Sequence, residues 1–334
     1  MSGKVYLIGG GPGDPKLMSL KGKEIIERAD VVVYDRLAGE MFLSYVSEEC
    51  EIIYAGKGST EGGVIQDWIN KTLAEKAMDG KMVARLKGGD PFIFGRGGEE
   101  ALYLAERGIE FEIIPGISAL ASVPAYAGIP VTHRGASNEI HIYTGSSKEG
   151  GIPFDLKTAA QNSGTSVIFM GVSGIGAVMK GILENGKPKD TPVAVIENGT
   201  TSSQRVVSGT IENIEKICGE NGIKPPALIV IGNSVNLREK LKWFSEEKFV
   251  LRGKKIAVTR DLRSSASFAE KIYDIGGKPL IFPLIKIVKM KEKIDLSKFS
   301  GVLFSSVNGV KSFFENIDDI RKTAHLKIGV IGDV

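Results

Sequence analysis

Short apolar runs alternate with amphipathic segments along the first 115 residues. The amphipathic segments predict helices, the first of them at about Ser19–Arg28. The apolar runs predict buried strands at Val5–Ile8, Val31–Tyr34, Ile52–Ala55, Met82–Leu86 and Phe111–Ile114. This alternation of strand and helix is typical of an α/β fold with a parallel sheet.

The same alternation restarts near Arg134 and continues to about residue 244. Strands are predicted at 139–144, 165–170, 192–197, 204–209 and 226–231. Because β segments follow one another more often here, we expect more β pairing in this half. The predicted fold of residues 1–244 is therefore a pair of α/β subdomains, about 1–115 and 134–244, with a ligand cleft between them.

A third region follows a charged linker, which we place at 245–253. Strands are predicted at 255–260, 279–285, 301–305 and 327–331, with helices at about 264–275 and 308–316. Such a β-α-β series predicts a parallel sheet. We therefore assign residues 254–334 to a separate, partial α/β domain.

Two glycine-rich loops follow predicted strands. In Arg85–Glu100, a glycine-rich crossing from strand to helix would let backbone approach a ligand, and the alternative is that its glycines serve only to turn the chain. In Gly9–Pro15, Asp14 occupies the position of the third glycine of a dinucleotide-binding motif. The second loop therefore favours a ligand that is approached by backbone and is not rich in phosphate.

Two charged residues stand at predicted strand ends. Asp35 follows the second strand and Lys57 follows the third. Ligands bind at this edge of open parallel sheets, so an acid there could contact a ribose or act as a base. The alternatives are that Asp35 only caps a turn and that Lys57 is a solvated loop lysine.

Composition narrows the class of protein. The net charge of +3 provides no global basic field for nucleic acid. Two distant cysteines and three unrelated histidines predict no metal site, and they agree with a reducing cytoplasmic location. No apolar run approaches the length of about 18 residues that a membrane-spanning helix needs.

Several motifs, in order, carry a family resemblance. They are Gly9–Pro15, Val33–Leu37, Gly56-Lys57, Gly88–Glu100, Pro115–Ile117, Ala125–Pro130 with Thr132–Arg134, Met170-Gly171, Glu197–Thr200 and Pro226–Gly232. With these motifs, residues 3 to about 244 resemble the uroporphyrinogen-III C-methyltransferases of the tetrapyrrole methylase family. The resemblance implies a homodimer that binds S-adenosylmethionine in a cleft between two α/β subdomains, releases S-adenosylhomocysteine and needs no metal.

The resemblance also implies a reaction and a set of site residues. The reaction is methylation of uroporphyrinogen III at C2 and C7 to give precorrin-2, for sirohaem or cobalamin biosynthesis. Asp35 would be the proton acceptor and Lys57 the proton donor. The substrate's eight carboxylates call for a basic rim, for which Arg36, Arg96 and Arg134 are candidates. The implied cofactor contacts are Pro12, Gly88, Gly89, Asp90, Ile93, Ser118, Ala119, Met170 and Gly199.

The last region resembles the N-terminal part of uroporphyrinogen-III synthase. Its shorter motifs are Val258–Arg260, Phe282-Pro283 and Phe304–Val310. That enzyme places its site between two α/β domains, and only about 85 residues of it are present, so we expect no synthase activity. Two other functions remain open for the chain: another precorrin methylase of the same family, and a non-catalytic nucleotide-binding module.

Overall fold

The protein divides into two compact units, Met1–Leu284 and Ile285–Val334. The computed structural model describes residues 3–38, 40–56, 62–146, 150–288, 290–292 and 294–332. The larger unit contains two five-stranded sheets. Each sheet is described below with the helices that cover it.

The first sheet is parallel throughout and has the order β3-β2-β4-β1-β5. Its strands are β1 (Lys4–Gly9), β2 (Val31–Tyr34), β3 (Glu51–Tyr54), β4 (Met82–Lys87) and β5 (Glu110–Ile114). Its helices are α1 (Leu20–Arg28), α2 (Gly62–Met78) and α3 (Gly97–Ala105), with a 3₁₀ turn at Glu40–Tyr45. Buried side chains of α2 and α3 pack on one face, and those of α1 and the 3₁₀ turn pack on the other. Because both faces are covered, the strands are nearly continuous in apolar residues.

The second sheet is mixed and has the order β6-β7-β10-β8-β9. Only β6 and β7 run parallel, and the other three pairs are antiparallel. Each of the two sheets has five strands, so the greater β pairing expected of this half is not found in the described residues. Helix α4 covers one face and α5, α6 and α7 cover the other. The elements are α4 (Ala119–Tyr126), β6 (Ile140–Thr144), α5 (Leu156–Gln161), β7 (Thr165–Phe169), α6 (Ile175–Glu184), β8 (Pro192–Glu197), β9 (Arg205–Thr210), α7 (Ile214–Glu220), β10 (Ala227–Ile231) and α8 (Arg238–Leu241).

The larger unit does not end at the linker predicted for 245–253 but continues to Leu284. Its last elements are β11 (Lys255–Val258), α9 (Leu262–Asp274) and β12 (Lys278–Ile281). The Tyr45 hydroxyl donates to Glu270 at 2.9 Å, and the Ser202 hydroxyl donates to the Gly276 carbonyl at 2.6 Å. These contacts join α9 and the turn after it to the two-sheet body.

The smaller unit contains β13 (Gly301–Phe304), α10 (Val307–Glu315) and β14 (Lys327–Val330). The Phe304 ring is buried and packs edge-on against Phe313 of α10. The last four strands pair in parallel, as predicted. In the described residues they form two separate two-stranded sheets, β11-β12 and β13-β14. None of the helices in the described ranges combines the length and apolar character needed to cross a membrane.

Candidate active site

The first sheet has a topological switch point between β1 and β4. These strands are neighbours, yet β1 is followed by α1 on one face and β4 by α3 on the other. The connections that leave their carboxyl ends therefore diverge and open a crevice, which is where open α/β sheets bind ligands. Both glycine-rich loops of the sequence begin at this point.

Four glycines bring three strand-end loops into contact there. The amide of Gly89 donates to the Gly11 carbonyl at 2.6 Å, and the reverse bond measures 3.2 Å. A Cβ on Gly116 would lie 2.2 Å from the Gly89 oxygen and 2.6 Å from the Gly9 Cα. No side chain fits at such distances, so glycine is required for the loops after β1, β4 and β5 to meet.

Asp90 fastens two of these loops to each other. Its Oδ1 accepts from the Phe92 amide at 2.8 Å, and its Oδ2 accepts from the Gly116 amide at 3.0 Å. Gly88 lies beside Leu37. A Cβ built on this glycine would stand 2.8 Å from the Leu37 Cβ. The loop after β4 therefore borders both the β5 loop and the β2 loop, which carries Asp35.

The second sheet adds two loops to the same place. The Asp14 amide donates to the Thr200 hydroxyl at 3.1 Å, and the Tyr126 hydroxyl donates to the Asp14 carboxylate at 2.9 Å. The rings of Phe94 and Phe169 lie 5.2 Å apart. The predicted residues Pro12, Gly88–Ile93, Met170 and Gly199 thus stand on loops that contact one another across the two halves.

Among the described residues, five that are not glycine adopt left-handed backbone conformations, and all five follow strands at this junction. The residues are Phe94 (φ 51°), Arg96 (φ 58°), Met170 (φ 53°), Asn198 (φ 49°) and Thr200 (φ 67°). Such conformations cost about 1–3 kcal/mol each and cluster at functional sites, where the surrounding structure holds them in place. The clustering of strained backbone at this junction therefore supports it as the candidate functional site.

The loops fit a ligand that is approached by backbone and by apolar side chains. Gly89 has φ 68°, and a Cβ built on it meets nothing within 4 Å, so open space lies beside this backbone. Met170 and Phe92 are 53% and 57% exposed. Ser118 caps α4 by accepting from the Leu120 amide at 3.2 Å, and Ala119 begins the helix. S-adenosylmethionine, which carries a sulfonium, an adenosine and no phosphate, is compatible with these surroundings.

Asp35 does cap a turn, and it also meets a cation. Its Oδ1 accepts from the amides of Leu37 (3.0 Å) and Ala38 (3.1 Å). Its Oδ2 accepts from the Nη2 of Arg85 at 3.3 Å. Lys57, the cation predicted to face Asp35, lies outside the described residues.

Beneath Asp35 lies a buried ionic cluster that the sequence reasoning did not single out. Glu100 accepts through Oε1 from Lys87 (2.8 Å), Arg85 (3.2 Å) and Gln66 (3.2 Å). Burial lowers the pKa of Lys87, and the neighbouring Arg85 adds to this effect. The available signal was a pair of cations at alternate positions, Arg85 within the predicted buried strand Met82–Leu86 and Lys87 directly after it, since buried cations need partners.

The three predicted substrate arginines have different surroundings. Arg36 is exposed beside Asp35, and Arg96 pairs with Glu99 at 2.6 Å. Arg134 lies on an open polar depression whose other lining residues, Thr132, His133, Ser137 and Asn138, belong to the same connection. The structure thus brings Arg36 to the Asp35 loop, leaves Arg96 on the loop after β4, and places Arg134 on a depression that the strand-end loops do not line.

Comparison with known families covers most of the chain. Residues 4–215 match the Tetrapyrrole (Corrin/Porphyrin) Methylases. Residues 266–334 match the family Uroporphyrinogen-III synthase HemD. The first match contains every predicted site residue, and the second contains most of α9 and all of the smaller unit's helices and strands.

Individual relatives agree with these matches. An S-adenosyl-L-methionine-dependent uroporphyrinogen III methyltransferase of Methanosarcina barkeri is 47% identical over 72% of this chain and 94% of its own length. A porphyrin biosynthesis protein HemD of Ruminiclostridium josui is 40% identical over 99% of this chain and 68% of its own length. The chain also matches siroheme synthases, but it spans only 53% of the one from Pseudoalteromonas atlantica, with 44% identity.

A solved structure extends the likeness to three dimensions. A uroporphyrin-III C-methyl transferase of Thermus thermophilus, complexed with S-adenyl homocysteine, has a TM-score of 0.62 and 36% identity. The alignment covers 70% of this chain and 100% of that one.

Proposed function

The chain belongs to the tetrapyrrole methylase family, and on that premise we propose that it is an S-adenosylmethionine-dependent C-methyltransferase that converts uroporphyrinogen III to precorrin-2. The observation that carries the proposal is the meeting of five strand-end loops at one crevice, each bearing a residue expected to hold the cofactor. Relatives at 47% identity are named for this activity. The product would serve sirohaem or cobalamin biosynthesis.

The cofactor would be held mainly by backbone. The residues that support this role are Pro12, Gly88, Gly89, Asp90, Ile93, Ser118, Ala119, Met170 and Gly199. Open space beside Gly89 and the exposed Met170 side chain suit an approach without phosphate contacts. S-adenosylmethionine, when bound, supplies a methyl group on a positively charged sulfur. The chain's part is to fix that group in line with the substrate carbon, and positioning of this kind is worth about 7–11 kcal/mol.

Asp35 is the proposed proton acceptor. A pyrrole carbon that gains a methyl group must later lose a proton, and a carboxylate at the sheet edge can accept it. The Asp35 side chain is 30% exposed, so one side of the carboxylate is open while the turn amides and Arg85 hold the other contacts. Lys57 remains the proposed proton donor, and Arg36, Arg96 and Arg134 remain proposed partners of substrate carboxylates.

Methyl transfer from labelled S-adenosylmethionine to uroporphyrinogen III tests the proposal directly. We expect a doubly labelled tetrapyrrole. Label on a later precorrin but not on uroporphyrinogen III would indicate another methylase of the family. Cofactor binding without any labelled tetrapyrrole would indicate a non-catalytic binding module and would refute the proposal.

The role of Asp35 is tested by substitution. Asp35→Asn should lower turnover strongly while the affinity for S-adenosylhomocysteine stays close to that of the unaltered chain. Asp79→Asn is the matched control. Asp79 is exposed in the turn before β4, at the amino ends of the strands, whereas Asp35 lies at their carboxyl ends. Lys57→Ala should behave like Asp35→Asn. Full turnover in both variants would remove the two residues from the mechanism.

Three further properties belong to the same proposal. We propose a homodimer in the cytoplasm, to be checked by light scattering and fractionation. We also propose that the synthase-like residues do not catalyse ring closure. Conversion of hydroxymethylbilane to the III isomer by this chain would contradict the last point.

A further inference from the structure

We propose that Arg85 is a positioning residue that holds Asp35 in its proton-accepting orientation, with Glu100 anchoring the guanidinium from behind. The inference rests on the proposed role of Asp35. It assigns a function to a buried cluster that the cofactor and substrate contacts leave unexplained.

Arg85 is fixed in place by the sheet. It lies on β4 opposite Val33 of β2, and its side chain is 3% exposed. Its Nη1 donates to the carbonyls of Leu86 (3.0 Å) and Val33 (3.4 Å), and its Nε donates to Glu100 (3.2 Å). A planar guanidinium held at both Nε and Nη1 has little freedom to rotate. Its Nη2 therefore points to one place, the Asp35 Oδ2 at 3.3 Å.

Asp35 is oriented through both of its oxygens. The turn amides of Leu37 and Ala38 hold Oδ1, and Arg85 holds Oδ2. The turn alone would leave the carboxylate free to pivot about Oδ1, because a single anchored oxygen does not fix the plane of the group. The contact with Arg85 supplies the second anchor and so sets the direction in which the open side of the carboxylate faces.

Glu100 holds the two buried cations, Arg85 and Lys87. It is fully buried, with 0% side-chain exposure, and its Oε1 collects Arg85, Lys87 and Gln66. Its Oε2 has no hydrogen-bond partner among the described residues, which is a cost that the cluster tolerates. With Asp35, the cluster contains two carboxylates and two cations, so its formal charge balances.

A double-mutant cycle separates positioning from a general structural role. Arg85→Met and Arg85→Lys are made in the unaltered chain and in Asp35→Asn, and kcat, KM and affinity for S-adenosylhomocysteine are measured. We expect Arg85→Met to lower kcat by about 10²-fold, as misplacement of a reacting group does, with KM and cofactor affinity nearly unchanged. In the Asp35→Asn background the same change should lower kcat by less than about twofold, because there is no acceptor left to misplace.

Lys87→Met is the matched control. Lys87 is a second buried cation on the same Glu100 oxygen, but its side chain contacts that carboxylate and makes no hydrogen bond to Asp35. Its loss should reduce stability and leave kcat close to that of the unaltered chain. Arg85→Lys keeps the charge but cannot reach Glu100 and Asp35 with separate nitrogens of a planar fork, so we expect an intermediate kcat.

The outcomes are distinguishable. If Arg85→Met lowers kcat by the same factor in the Asp35→Asn background as in the unaltered chain, Arg85 acts independently of Asp35 and the inference is wrong. If Asp35→Asn itself keeps full turnover, the proposed role of Asp35 fails first and the inference falls with it. Should Arg85→Met not fold, the charge-matched pair Arg85→Met/Glu100→Gln and the single Arg85→Lys take its place in the same cycle.

Discussion

Substitution of Gly116 by alanine should displace the loops around the crevice that we propose holds the cofactor, while the protein stays folded. Gly116 follows β5, and its new Cβ would lie 2.2 Å from the Gly89 oxygen and 2.6 Å from the Gly9 Cα. Both neighbours are backbone atoms, so no side-chain rotation can relieve the contact. The loop after β4 must move instead, and the bond between the Gly116 amide and Asp90 must lengthen with it.

The size of the effect follows from these distances. Ordinary contact begins near 3.4 Å, so the two backbones must part by about 1 Å. A misplacement of about 1 Å typically costs about 10²-fold in turnover. We expect Gly116→Ala to weaken binding of S-adenosylhomocysteine, measured by isothermal titration calorimetry, and to lower kcat/KM for methyl transfer by about this factor.

Gly98→Ala controls for the loss of a glycine. Gly98 lies in the first turn of α3, nothing stands within 4 Å of its Cβ position, and alanine favours a helix by about 0.5–1 kcal/mol. That variant should bind and turn over normally. A folded Gly116→Ala protein with unchanged cofactor affinity and turnover would show that the three-loop contact does not shape the site, and the reasoning would be wrong.

Three further predictions concern buried groups. Glu100→Ala should lower the free energy of unfolding by about 3–5 kcal/mol in urea, because it strands two buried cations; Glu106→Ala, an exposed acid just after α3, should cost less than about 1 kcal/mol, and equal losses would contradict the account. Burial raises the pKa of the Cys50 thiol to about 11, so Cys50 should react slowly with thiol reagents near neutral pH, and rapid labelling would be inconsistent with the structure. Burial and the Asp14 carboxylate raise the pKa of Tyr126 from 10.0 to about 12. The unfolded chain loses that proton first, so the stability that this group contributes is full below pH 10 and lost as the pH rises through about 12. In Tyr126→Phe, the free energy of unfolding should therefore fall less steeply as the pH rises from 10 to about 12. The same pH dependence in the variant and in the unaltered chain would contradict the contact.

Most strands were predictable because their signals are local. Val31–Tyr34 and Pro192–Glu197 have the bounds that their apolar runs predict, since buried strands rich in β-branched residues leave a continuous apolar pattern. The order of glycine-rich loops and the acid after β2 were also visible, and with the family motifs they predicted the candidate site.

The compact units were not predictable in the same way. A charged stretch at 245–253 looked like a linker, yet the larger unit runs on to Leu284, and within it Glu270 of α9 accepts a hydrogen bond from Tyr45. Composition reports how polar a segment is, but it does not report which distant surface the following helix will contact. The parallel pairing of the last strands was foreseen, whereas their division into two sheets was not.

Read alone, the chain established which segments are strands, where glycine frees the backbone, and which chemistry its motifs resemble. Tertiary structure decided which of these pieces meet. Strand order placed β4 between β1 and β2, and that order brought Arg85 under Asp35, 50 positions away in sequence, and put Glu100 behind it. Propensity and period act between near neighbours, whereas strand order and buried charge pairing are settled by the free energy of the whole packed unit. Asp35 at the end of β2 could be identified from the sequence, whereas Arg85, the cation that we propose orients it, was identified only from the fold.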